Sequence, residues 1–416
     1  MSTREARMTW SAGEPLDIGG HIFGRFIYLP LVALLGIAAW HGYTAVATLL
    51  GLTLSTIGIS MAWSQLALRR VHCERTLSAK SLFPGDELTL TLRLVNAKPL
   101  PLPWAEVNQA LPPQLVAAAS EESLQESVLQ RTASLPWYSR ITWRERVRAE
   151  RRGCYTIPPL TVTSGDVLGL YPRQLKDAAE ETVVVYPHIY PVHHLTMPRT
   201  DASGDLLGRV SLQEDPTRMR GIREYQPQDG LRRVHWKATA HHGQLMVKVF
   251  EPAAVSRLNL VLVADSFGQL TDDEPFELAV SAIASAANYC VAHQIQVGLV
   301  GNARLSDGSG ESRVPPSSGD THLITMLEIL ARATTATVRP LPVLARELRS
   351  LAMSGASLVV VTGRLEDTHV GEFAALARTG SSLLVLEVKQ GRDSTRLPFS
   401  HRVIEGPNDL LNLEAA

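Results

Sequence analysis

Cysteine is scarce and scattered in this chain. Cys73, Cys154 and Cys290 are the only three. They form no Cys-x-x-Cys pair, and an odd set of this kind argues against a disulfide framework or a zinc ribbon and suits a reducing compartment. Net charge is equally slight: 40 Lys and Arg stand against 41 Asp and Glu, a formal charge of -1. No polycationic character therefore points to nucleic acid. The chain has no Gly-x-x-x-x-Gly-Lys phosphate loop, no His-Glu-x-x-His pair and no Gly-x-Ser-x-Gly elbow, which removes the plainest signs of nucleotide, zinc-protease and serine-hydrolase chemistry. His188, His193, His194, His241 and His242 lack acidic or thiol company and are expected to be surface or hydrogen-bonded residues rather than metal ligands.

A further absence is local. Between Arg25 and Arg69 there is no Asp, Glu, Lys or Arg, an interval about twice the ~20 residues that one helix needs to cross a bilayer. The polar, turn-prone His41-Gly42-Tyr43 divides it, which predicts two spans, near 26–42 and 44–66, joined by a tight loop. Phe26, Trp40, Tyr43 and Trp63 fall near the expected membrane interfaces, where amphipathic rings prefer to lie. Arg4, Arg7 and Arg25 precede the pair, Arg69, Arg70 and Arg75 follow it, and the hairpin tip carries no Lys or Arg. The positive-inside bias then puts both termini and all the folded mass in the cytoplasm. A buried helical hairpin of a soluble protein is the competing reading.

From about 71 to 190 the pattern is strand-like. Glu87 to Val95 alternates apolar and polar residues after the turn Phe83-Pro84-Gly85-Asp86, and Ile141 to Ala149 alternates again. Short strands broken by Pro and Gly predict an antiparallel β-sandwich. The second run puts Arg144, Arg146 and Arg148 on one face, either a docking stripe for acidic partners or the solvated side of a two-sided strand. Residues 191–220 are mixed in pattern and read as a linker. From 258 onward near-continuous apolar strands alternate with amphipathic helices, the pattern of a doubly wound sheet.

Just before that pattern, residues 221–251 pack cations, histidines, a Trp and a Tyr around one turn. Asp229 is a good N-cap for a short helix with Leu231, Val234 and Ala238 on one face and Gly243 as its stop. Arg232, Arg233 and Lys237 lie opposite that apolar face. The segment resembles the signature of the bacterial family catalogued as domain of unknown function 58, through Arg223, Tyr225, Asp229, Arg232, His235, Trp236, Lys237, Ala240, Leu245 and Phe250. An upstream "Gly-x-Tyr … Asp-x-x-Gly-Leu … Tyr-Pro" pattern of the family is matched by Gly153, Tyr155, Asp166, Gly169, Leu170, Tyr186 and Pro187.

The resemblance implies a multidomain chain: a transmembrane helical hairpin, an antiparallel β-sandwich and a doubly wound von Willebrand factor type A-like α/β domain. The expected division is a cytoplasmic N-terminal segment (1–25), two transmembrane helices (26–68), the sandwich (71–190), the linker (191–220), the signature helix and strand (221–251), the type A-like domain (255–392) and a C-terminal tail (393–416). It further implies a MoxR-type AAA+ ATPase as partner in chaperone-like maturation or assembly, with a transglutaminase-like membrane protein as a second neighbour. The signature either bolts the sandwich to the α/β domain, through Asp229 paired with Arg223 or Arg232 and Trp236 packed under the sheet, or offers Arg232, Arg233 and Lys237 to acidic groups of a partner.

Type A domains hold Mg²⁺ or Mn²⁺ in an Asp-x-Ser-x-Ser loop, and hard ions of this kind want oxygen ligands. Here the loop reads Asp265-Ser266-Phe267-Gly268-Gln269, and Thr362-Gly363 follows the later strand. Asp265 and Ser266, with Asp272 or Asp273 recruited, are the candidate metal ligands; otherwise Asp265 caps the strand-to-helix turn. The expected function is a membrane-anchored cytoplasmic scaffold or adaptor without a cofactor. The alternative is a metal-dependent hydrolase built on Asp265. A third reading, nucleic-acid binding through Arg144, Arg146, Arg148 and the signature helix, fits poorly with a net charge near zero.

Overall fold

A computed structural model describes residues 16–17, 28–117, 128–176, 180–196, 214–224, 234–252, 257–268, 273–380, 382–388 and 397–414. The chain divides into two compact units, Met1–Tyr186 and Pro187–Ala416.

The first unit opens with two apolar helices, α1 (Tyr28–Trp40) and α2 (Thr44–Ala67). The turn between them carries Gly42 at φ +75°, a left-handed conformation that glycine adopts without steric cost. Helix α2, with 24 residues, is long and apolar enough to cross a membrane. The 13 residues of α1 span only ~20 Å. Trp40 and Tyr43 are exposed at the turn and Trp63 is half-buried near the end of α2; Phe26 lies outside the described residues.

Twelve strands complete this unit: β1 (Leu16–Asp17), β2 (Val71–Leu77), β3 (Ser81–Leu82), β4 (Glu87–Asn96), β5 (Leu102–Ala110), β6 (Leu115–Ala117), β7 (Val128–Leu135), β8 (Arg140–Ala149), β9 (Gly153–Ile157), β10 (Thr161–Ser164), β11 (Arg173–Lys176) and β12 (Glu181–Val185). One sheet runs β1-β11-β10-β5-β7 and another β2-β4-β8-β6, while β3-β12-β9 form a third. The alternation read along β4 turns Leu88, Leu90, Leu92 and Leu94 into the core, where they cluster with Leu102, Ala105 and Val107 of β5 and Leu135 of β7. Arg75 crosses between sheets: its guanidinium donates to Gln109 Oε1 at 3.0 Å and to Pro158 O at 2.8 Å, with Glu181 at 3.4 Å. Such pairing is what lets an arginine be buried. Arg144, Arg146 and Arg148 are all exposed on β8.

The second unit is built on a seven-stranded sheet. Its strands are β16 (Arg257–Val263), β17 (Gln296–Leu305), β18 (Glu311–Ser317), β19 (Ala333–Thr337), β20 (Ser357–Thr362), β21 (Leu383–Val388) and β22 (Ser400–Ile404), in the order β18-β17-β16-β20-β21-β22 with β19 on β17. The pairs β17-β16-β20-β21-β22 are parallel, as strands joined by helical crossovers must be. The crossovers are α4 (Glu274–Ala292), α5 (Asp320–Arg332), α6 (Leu341–Met353) and α7 (Asp367–Ala377). Val261, Val263, Val360 and Val385 pack with Leu341, Leu344 and Leu348 of α6 and Phe373 and Leu376 of α7. Leu260 and Leu262, on the opposite face of the same strand, are equally buried, because both faces of a doubly wound sheet are covered.

Two expectations change here. The 191–220 stretch read as a linker contains β13 (His194–Thr196) and most of β14 (Glu214–Glu224). The tail read from 393 contributes β22 to the main sheet, and β23 (Asn412–Glu414) pairs in parallel with β13. These strands are too polar to announce themselves by periodicity and are placed by their pairing partners.

Candidate functional site

The signature segment is a strand, a short helix and a strand. Strand β14 pairs antiparallel with β15 (Met246–Pro252), with Arg223 opposite Val247 and Ile222 opposite Lys248. Between them stands α3 (Trp236–His242). The expected cap, Asp229, does not start this helix. Val234 is still extended and bridges to Val247, so the helix begins only at Trp236. Its cap is His235, whose Nδ1 accepts from Ala238 N at 3.0 Å while its own N–H donates to Met246 O at 2.8 Å. Gly243 ends the helix at φ +67° as expected. Thr239 Oγ1 accepts from Met246 N at 3.0 Å, so one side of α3 is stitched to β15.

The other side is open. Trp236 is 67% exposed, which speaks against the alternative that packs it under the sheet, and Lys237 is exposed beside it. Ile222 and Leu245 add exposed apolar surface to the same strand–helix–strand unit. Arg223 is exposed as well. Tyr225, Asp229, Arg232 and Arg233 lie outside the described residues, so no pairing of Asp229 is described.

Asp265 and Ser266 both bond to other segments of the α/β unit. Both carboxylate oxygens are taken: Oδ1 accepts from Asn302 Nδ2, and Oδ2 accepts from Leu341 N at 2.9 Å. Asn302, wholly buried at the far part of β17, also receives Ala264 N on its Oδ1 at 2.8 Å and donates to Arg339 O at 3.1 Å. Asp265 is thus a capping residue, but for the first turn of α6 rather than for its own strand-to-helix turn. Ser266 Oγ lies 3.1 Å from Thr362 Oγ1 and accepts from Gly363 N at 2.7 Å. A Cβ on Gly363 would lie 3.1 Å from both Ser266 and Phe267, a tight fit. Phe267, in a serine position of the metal loop, is 2% exposed and stacks edge-on against Phe276 at 5.3 Å.

Asp265 also borders an open cavity of about 450 Å³ lined by Gly268 and the 335–340 segment. Arg339 on that segment pairs with Glu311 at 3.2 Å and Glu347 at 2.8 Å. Asp273 stands at the N-cap of α4 without a side-chain capping bond, and Asp272 and Gln269 lie outside the described residues. Among the described residues no group of three or more His, Cys, Asp or Glu could hold a metal ion. The sequence pattern does not single out Asn302 or Leu341, the partners of Asp265; the signal for Asn302 is an amide within the apolar part of its strand, between Gly301 and Ala303.

Residues 221–407 match the family model described as "Protein of unknown function DUF58". The chain carries the DUF58 family's domain over those residues. This DUF58 protein is 28% identical over 341 residues to "Uncharacterized protein YeaD" of Bacillus subtilis (strain 168), a match covering 81% of this chain and 80% of that one. Among solved structures it is similar over 29% of its length to 24% of an Escherichia coli alpha-2-macroglobulin fragment, at 19% identity and a TM-score of 0.22. It is similar over 37% of its length to 44% of proximal thread matrix protein 1 from the mussel byssus, at 12% identity and a TM-score of 0.28.

Proposed function

We propose that this DUF58 protein is a membrane-tethered binding protein whose signature unit receives another polypeptide, with a MoxR-type AAA+ ATPase as the partner. The observation that carries the proposal is the exposure of Trp236 beside Lys237 on a helix whose opposite side is stitched to β15. A large aromatic and a cation, both exposed on a helix bonded to a strand, have the composition of an interface anchor. The Asp265 oxygens hold Asn302 Nδ2 and Leu341 N, a structural role that the binding reading accommodates without calling on hydrolysis.

Two finer parts of the reading belong to the same proposal. The α/β unit is taken as von Willebrand factor type A-like, on its parallel order around β16. Helix α2 is taken as a membrane span, with α1 as the first arm of a two-span hairpin and both termini cytoplasmic, on the arginines that flank the pair.

Affinity capture of the full-length chain from detergent-solubilised membranes tests it. Recovery of the ATPase with the wild type, and its loss with Trp236→Ala, supports the proposal. Equal recovery from both removes the signature unit from the interface.

A further inference from the structure

The turn between β10 and β11 is tight at its base and apolar at its tip. Asp166 is completely buried; its carboxylate accepts from Leu168 N at 3.1 Å and Tyr171 N at 2.8 Å, and its carbonyl accepts from Trp104 Nε1 at 2.9 Å. A Cβ on Gly165 would meet Tyr171 O at 2.8 Å, and Gly169 turns the chain at φ +70°. What this built turn displays is Val167, Leu168 and Leu170, 63%, 58% and 53% exposed. The turn between β7 and β8 repeats the pattern. Trp137 and Tyr138 are 65% and 70% exposed, and Tyr138 sits at φ +48°, which is rare for a bulky residue and points to function when the surroundings enforce it. Here Tyr138 N donates to Lys98 O at 3.2 Å, Asn96 N to Ser139 O at 2.9 Å, and Asn96 Nδ2 to Pro136 O at 2.8 Å.

Both turns are tied to the end of α2. Ser64 Oγ donates to Tyr171 O at 2.6 Å, and the Tyr28 and Tyr171 hydroxyls are 2.7 Å apart. Lys98, whose carbonyl holds the Tyr138 turn, donates through Nζ to Leu66 O at 3.0 Å and to Ala67 O. A helix of 24 residues is about 36 Å long, whereas the hydrocarbon core is ~30 Å thick. If α2 spans, its last turn stands in the headgroup layer, with the β10–β11 turn bonded to it directly and the β7–β8 turn linked to it through Lys98. Exposed Arg69 and Arg70 follow at once, and exposed Arg140 opens β8 beside the aromatic turn.

We propose that Val167, Leu168, Leu170, Trp137 and Tyr138 form an interfacial collar that enters the headgroup–acyl boundary of the bilayer around α2, with Arg69, Arg70 and Arg140 on anionic headgroups. The proposal rests on the reading of α2 as a span. Exposed apolar clusters on built turns mark an interaction surface, and continuity with a lipid-embedded helix selects lipid as the occupant. Aromatic and aliphatic side chains with flanking cations are the composition that holds a protein surface about 5–10 Å into that boundary.

The full-length chain, with Cys154→Ser, is reconstituted in nanodiscs containing anionic lipid. An environment-sensitive label is placed singly by Leu168→Cys, Leu170→Cys, Trp137→Cys, Leu52→Cys within α2, or Glu87→Cys at the far end of β4. Only variants that keep the parent's melting temperature are read, and Leu170→Cys substitutes if Leu168→Cys does not fold. A lipid quencher near the headgroup should lower emission at 168, 170 and 137, a deep quencher should lower it at 52, and neither should affect 87. Quenching at 52 with the turn sites behaving like 87 overturns the collar and leaves the span standing. No quenching at 52 overturns the span reading and the collar with it. Label-to-label transfer between copies at 168 without lipid quenching assigns the surface to a second copy and overturns the lipid proposal.

Discussion

Asp265 Oδ2 accepts the backbone N–H of Leu341 at 2.9 Å, and this bond ties the end of β16 to the first turn of α6. The other oxygen holds Asn302, which in turn fixes Ala264 and Arg339. One carboxylate therefore organises three segments of the α/β unit. Asp265→Ala strands a helix N–H and a buried amide, at a cost of about 2–4 kcal/mol. Thermal melting of the full-length chain in detergent should fall accordingly, and Asp265→Asn should lose less. On the same account millimolar Mg²⁺ or Mn²⁺ leaves the melting temperature unchanged. A metal-dependent rise would return the site to metal binding by mass action.

Lys98 donates to the last carbonyls of α2 from a buried position. A cation suits a helix C-terminus, yet burial pushes this ammonium down to about 8 from 10.5. Between those values the folded chain has lost the proton that the unfolded chain still binds. Stability contributed by this group therefore rises with pH from 8. Cys290, pushed up by burial from 9.0 to about 12, has the opposite sign above pH 9. The rise belongs to pH 8–9, and Lys98→Met should abolish it while costing about 1–3 kcal/mol for the carbonyls left without their donor. Denaturant titrations of both proteins across that window give the comparison; an equal pH slope in the variant would rule Lys98 out.

His369 closes the capping box of α7, its Nδ1 accepting from Glu366 N at 3.4 Å. Burial lowers its pKa below 6.5, opposed by the charges of Glu366 and Asp265. As pH falls through 6.5 the unfolded chain protonates first, so stability is lost on acidification. His369→Asn retains a capping acceptor without the titration. Its melting temperature should fall less than the wild type's between neutral and mildly acid pH, and parallel falls would exclude His369 as the source.

How far these features could be foreseen depends on where their physical cause lies. Strands such as β16 and β20 announce themselves because a strand covered on both faces must be apolar throughout. The alternation of β4 is equally plain, since only one face of its sheet meets the core. Strand β22 carries Ser400, His401 and Arg402; it is held by β21 and by His401 Nε2, 2.9 Å from Glu387 Oε2, partners that no local pattern supplies. The loop pattern points to the Asp265 carboxylate, but the groups it holds, Asn302 Nδ2 and Leu341 N, come from distant segments that no local pattern connects. His235 displaced Asp229 as the cap because Val234 is claimed by a bridge to Val247, and a cap preference cannot start a helix while the chain is still extended.

Trp236 is the side chain on which the binding account depends. Because it packs little, Trp236→Ala should change the melting temperature scarcely at all, within roughly 0.5 kcal/mol of stability. A large loss of stability would make the residue structural and return the signature to the role of an internal bolt.

The most direct measurement is an equilibrium binding isotherm between the full-length chain in nanodiscs and a purified MoxR-type AAA+ ATPase. The account predicts saturable binding, weakened about tenfold or more, ~1.4 kcal/mol, by Trp236→Ala with Lys237→Glu. Absence of saturable binding, or an isotherm that the paired substitutions leave unmoved, would contradict it.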